Sequence, residues 1–145
     1  MRRRDVFRAT LAATAALFGL RAAQAATADP DRQRVVYHLS DVDKVNFVLG
    51  NIKNHYEGTG GNADIVLVVH GPALAAFRSR GVSAAISGRF TGLVSLGLSA
   101  HACANTMHGM NISLADLLDG FDAADKGGVV KLVELQRQGY AYLRP

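Results

Sequence analysis

Residues Asp64–His70 read DIVLVVH, five apolar residues in a row between an aspartate and a histidine. The run is too short for a helix and does not alternate as a half-exposed strand does. It is the pattern of a strand buried on both faces, as in the centre of a parallel sheet. Parallel strands need crossover connections, usually helices, so helical patterns should flank this run. They do. Upstream, Val42–Tyr56 carries apolar residues at Val42, Val45, Val48, Leu49 and Ile52, the spacing of an amphipathic helix. Glu57–Ala63 (EGTGGNA) ends it, and Arg34–Leu39 (RVVYHL) precedes it as a strand. Downstream, Gly71-Pro72 turns the chain, and Pro72 suits the first position of a helix over PALAAFRSR.

The remaining chain continues the alternation. Gly81–Gly97 predicts a helix around Arg89–Leu96, weakened by Gly88, Gly92 and Gly97. Leu98–Cys103 has the length and position of a third strand, and Asn105 or Thr106 suits the cap of a short helical turn. Ser113 and Asp116 resemble a capping box for Leu114–Leu118. Phe121–Ala123 reads as a fourth strand. Gly127-Gly128 opens the helix VVKLVELQRQ, Gly139 ends it, and Tyr140–Leu143 is a last strand. Alternating strands and helices over 34–145 predict a three-layer α/β/α domain with a mainly parallel, five-stranded sheet.

The amino end has a different character. It begins MRRRDVFRATLAATAALFGLRAAQAA, with a basic start, an apolar run from Ala9 to Leu20 and the small-residue triplet Ala23-Gln24-Ala25. This is the layout of a bacterial signal peptide over 1–25, cleaved near Ala25 or Ala26, with a flexible leader over 26–33. Arg3-Arg4, Asp5, Val6 and Phe7 fit a twin-arginine export signal, and the expected destination is the periplasm. The apolar run is shorter than the about 20 residues of a membrane-spanning helix. The formal charge of +4 resides in this segment: without its five arginines and one aspartate, 11 basic and 11 acidic residues remain. No basic patch is left to argue for nucleic acid or anionic lipid as a partner.

Cys103 is the only cysteine, so no internal disulfide is available. In a parallel sheet, ligands gather at the carboxyl ends of the strands. There the first strand offers His38, Ser40 and Asp41, the second His70-Gly71, and the third Cys103 followed by Asn105 and Thr106. A thiol before a helix start is favoured as thiolate. Cys103 is therefore the candidate nucleophile, with His70, His101 and Asn105 as supporting residues. Each also has a plainer role: a packed thiol, a turn histidine, a strand residue, and for Asp41 a helix cap. His101, Cys103 and His108 with Met107 and Met110 offer a soft ligand set for copper or zinc, but CxxC and HxxxH spacings are missing. The expectation is no resident metal. The glycines of EGTGGNA follow no strand and fit neither a dinucleotide fingerprint nor a phosphate loop, so no cofactor is expected. A serine hydrolase is unsupported, since GxSxG is absent.

The segments YHLSDVDKVNFVLGNIKNHYEG, DIVLVVHGPAL, ACANTM and NISLADLLDGF, with the tail KGGVVKLVELQRQGYAYLRP, together resemble the DsrE/DsrF-like family, which includes the YchN-like proteins. The likeness runs from about Arg34 to Pro145. It implies a parallel five-stranded α/β/α fold and assembly into homo-oligomers, as trimers or hexamers, or into hetero-hexamers. It also implies a sulfur carrier: some members hold sulfur as a cysteine persulfide and pass it between donor and acceptor proteins. Cys103 matches the sulfur-bearing position. Ala104 departs from the pattern, standing where glycine is usual, and Ser83–Gly97 differs from the usual helix. Rival expectations are a non-catalytic oligomeric module that binds a small ligand or partner protein and, after it, a periplasmic metal binder.

Overall fold

The computed structural model describes residues 29–145. The signal peptide expected over 1–25 and the start of the leader expected over 26–33 lie outside the described residues. Strand β1 spans Gln33–Leu39, β2 Ala63–Val69, β3 Ser99–Cys103, β4 Phe121–Ala124 and β5 Ala141–Leu143. Helix α1 spans Val45–Gly58, α2 Ala84–Ser95, α3 Ala104–Gly109 and α4 Gly128–Arg137. All four strand pairings are parallel, in the order β4-β3-β2-β1-β5.

That order positions the site. The chain steps outward from β1 to β4, then returns through α4 to place β5 on the other side of β1. Right-handed crossovers put the helices of the outward steps on one face and α4 on the opposite face. The reversal between β1 and β5 is a topological switch point, where open α/β sheets form crevices at their strand ends.

The two faces are covered unequally. Ile65, Leu67 and Val69 of β2 join the large core under α1 and α2, with Leu49, Ile52, Phe77, Phe90 and Phe121. The phenylalanine rings pack with centroids 4.8–5.4 Å apart. Val66 and Val68 point the other way, into a smaller cluster with Val36, Leu132 and Leu135 beneath α4. This is why DIVLVVH does not alternate: both faces of β2 are apolar contacts. A fully buried side chain of this size contributes about 1.5–3 kcal/mol.

Local chemistry moved some boundaries. Gly71–Phe77 forms a 3₁₀ helix, whereas Pro72 and its alanines predicted a longer helix through Arg80. The helix expected around Arg89–Leu96 begins earlier, at Ala84, because the Ser83 side chain accepts from the Ile86 N–H at 3.2 Å. At Ser113 the expected box forms, with its N–H and hydroxyl both donating to the Asp116 carboxylate at 2.8 Å. Ala104 is the first residue of α3, and Asn111 is the one non-glycine residue with positive φ among the described residues. Alanine at 104 thus carries no left-handed strain.

Candidate functional site

Cys103 closes β3 and caps α3, so its backbone changes from extended to helical there. Side chains on a strand alternate, and Cys103 shares its face with Ser99 and His101, beneath α4. The residue is 6% exposed and unpaired. Burial pushes the thiol pKa up. The Thr106 hydroxyl and the backbone N–H groups of Gly128, Thr106 and Asn105 outweigh that effect and hold it below the ordinary cysteine value. The Thr106 oxygen is itself fixed, since it accepts from the Gly71 N–H at 2.9 Å. One hydroxyl therefore links the end of β2 to the sulfur at the end of β3.

Two glycines make room for this arrangement. A β-carbon on Gly128 would lie 3.2 Å from Cys103 Cβ, 3.4 Å from His70 Cβ and 3.5 Å from Val68 Cγ1. Helix α4 can approach the rim this closely only without that atom. Gly127 has φ of +100°, and a β-carbon there would meet Asn105 Nδ2 at 2.7 Å. The Asn105 side chain thus packs over Gly127 while the Asn105 backbone N–H faces the sulfur.

Beside Cys103 stands a chain of aromatic groups. His70 meets His38 through their Nε2 atoms. The ring centroids are 4.6 Å apart and the planes 20° from parallel, so with the two nitrogens in contact the rings meet edge to edge. His38 Nδ1 lies 2.6 Å from the Tyr142 hydroxyl across the β1–β5 switch point. Burial lowers the pKa of His38 to about 4, with help from the charges of His70 and Arg144 and against Asp41. The His70 pKa is lowered by burial and Arg144, again against Asp41. Both imidazoles are neutral at pH 7. Arg144 crosses the rim with 3.0 Å to Ser40 Oγ and 3.7 Å to the Asp41 carboxylate.

Of the candidate residues, Cys103, His70 and Asn105 come together at this rim. His101 lies two residues back along β3. Its Nε2 faces Ser99 Oγ at 3.2 Å, and its Nδ1 is buried without a partner. Burial lowers its pKa, with Lys131 adding and Asp122 opposing. The soft ligand set is dispersed. Met107 packs into the large core on the far face, while His108 and Met110 are exposed. Among the described residues no group of three or more His, Cys, Asp or Glu side chains is placed to hold a metal ion. Sequence reading passed over the pairing of His38 with Tyr142 and the contact of Gly128 with Cys103. The strand-end position of His38 was a signal; no local pattern pointed to Tyr142, 104 residues away.

The fold and rim define a DsrE/YchN-like α/β protein with its thiol at the carboxyl edge of the sheet. The structure of the protein of unknown function MTH1491 from Methanobacterium thermoautotrophicum aligns with TM-score 0.70 and 30% identity, over 78% of this chain and 99% of that one. The chain belongs to the same family as that protein. The ychN protein from E. coli aligns with TM-score 0.58 and 17% identity over the same shares, a likeness of fold. No protein-family model matches the sequence, and no curated protein does.

Proposed function

We propose that the protein carries sulfane sulfur as a persulfide on Cys103. The carrying observation is the convergence of the Thr106 hydroxyl and three backbone N–H groups on the sulfur. Such donors favour a thiolate, the nucleophilic form. In the step envisaged, the Cys103 thiolate attacks the outer sulfur of a persulfide or polysulfide. A Cys103 S–S bond forms as the donor's S–S bond breaks, and the donor sulfur leaves with the electron pair. An acceptor thiolate then removes the outer sulfur by the same exchange, so no external oxidant is consumed. His70 and Asn105 act at the rim, and His101 acts from behind it on the same strand face. The signal peptide over 1–25 sends the chain to the periplasm, and the working unit is a homo-oligomer, a trimer or hexamer, meeting donor and acceptor proteins.

Incubation with inorganic polysulfide followed by intact-protein mass spectrometry tests the reading. The wild type should gain sulfur and Cys103→Ala should not; equal spectra would end the proposal. The low exposure of Cys103 favours a second reading, a binding module with a packed thiol. Slow thiol labelling of the native protein at neutral pH would support that reading instead.

A further inference from the structure

We propose that Tyr142, His38 and His70 form a proton relay joining solvent to the sulfur held at Cys103. The inference rests on the persulfide reading for its purpose, but its geometry stands apart from it. Tyr142 is 40% exposed and its hydroxyl bonds His38 Nδ1 at 2.6 Å. His38 is 8% exposed and meets His70 through the two Nε2 atoms. The β-carbons of His70 and Cys103 both lie within 3.4 Å of the point where a Gly128 side chain would begin, so the two side chains are neighbours under α4. The string runs from the exposed edge strand, across the switch point, to the thiol.

Thiol exchange needs such a path because the departing sulfur leaves as an anion. The Tyr142 O–H proton passes to His38 Nδ1, the His38 Nε2 proton to His70 Nε2, and the His70 Nδ1 proton to the leaving sulfur. Water restores the tyrosine proton and becomes hydroxide, so each imidazole gains a proton at one nitrogen as it gives one from the other and changes tautomer. Return of sulfur to an acceptor runs the string in reverse. Neither imidazole holds a net charge before or after, which suits a pair whose charged forms burial disfavours. The charged groups facing the pair are Asp41 after β1 and Arg144 after β5, with Cys103 on β3 and no ionisable side chain at Gly128 on α4.

The test uses full-length protein, with Tyr142→Phe and His38→Asn against wild type, each checked by circular dichroism and thermal melting. Tyr142→Phe keeps the ring and removes only the hydroxyl that meets His38 Nδ1, so it is the milder of the two changes. The first readout is the initial rate of persulfide formation from inorganic polysulfide. The expected result is a rate about tenfold or more lower in both variants, with the same final extent. The second readout is the pH profile of Cys103 alkylation by iodoacetamide, which involves no sulfur transfer. Wild type should show a thiol titration coupled to a second group on the acid side, and His38→Asn should lose that coupling. Rates within twofold of wild type and superimposable pH profiles would overturn the relay while leaving persulfide carriage standing. Coupled alkylation profiles without sulfur uptake would support the relay and remove the persulfide reading.

Discussion

Gly128→Ala tests how closely the thiol depends on the approach of α4. The new methyl carbon would lie 3.2 Å from Cys103 Cβ and 3.4 Å from His70 Cβ. Both are β-carbons fixed to the backbone at strand ends, so neither can rotate away, and α4 must withdraw by a few tenths of an ångström. Crowding of this kind costs about 1–3 kcal/mol. Alanine at an ordinary helical position returns about 0.5–1 kcal/mol, leaving a net loss of roughly 0–2.5 kcal/mol. The effect on the sulfur is larger in proportion. A hydrogen bond to a charged acceptor contributes about 1.5–3 kcal/mol, and withdrawal weakens the one from the Gly128 N–H. Losing about 1.4 kcal/mol of it raises the thiol pKa by about one unit, so labelling at neutral pH slows about tenfold. Urea denaturation and the labelling rate of the folded protein measure the two effects separately. A labelling rate within twofold of wild type, with unchanged stability, would refute the reasoning.

Thr106→Val keeps the shape but leaves the Gly71 N–H without its acceptor and the sulfur without its hydroxyl. Stability should fall by about 1–3 kcal/mol, and the thiol pKa, read from the pH dependence of alkylation, should rise. Gly88→Ala and Gly92→Ala on α2 meet nothing within 4 Å, so each should raise the unfolding free energy from urea curves by about 0.5–1 kcal/mol without altering labelling. Phe90→Ala removes a fully buried ring packed on Phe77 and Phe121 and should cost about 3–5 kcal/mol on the same urea curves. Acid should also weaken the fold through His38, whose pKa falls from 6.5 when unfolded to about 4 when folded. Between these values the unfolded chain binds more protons, so stability is full above 6.5, declines as the pH drops toward 4 and levels off below it. The loss is at most about 3 kcal/mol, and His38→Gln should flatten the urea-midpoint curve across this window.

The apolar run of β2 and the helical spacing of α1 specify a parallel sheet because burial imposes a period on the chain itself. The caps at Ser83 and Ser113 are local too, though the Ser83 cap was hidden by glycines that shifted the expected helix toward Arg89. For PALAAFRSR, proline at the start and alanines within satisfied a longer helix as readily as the 3₁₀ turn that forms. The candidate thiol was legible because a cysteine before a turn at a strand end is a one-dimensional feature. Its surroundings were not. Gly127-Gly128 reads in the sequence only as a helix opening, and only packing puts Gly128 against Cys103 and His70. His38 and Tyr142 bond each other because β5 returns to the open side of β1. Strand order and register arise from how the faces of the whole sheet are covered, and pairings set that way leave no pattern between neighbouring residues.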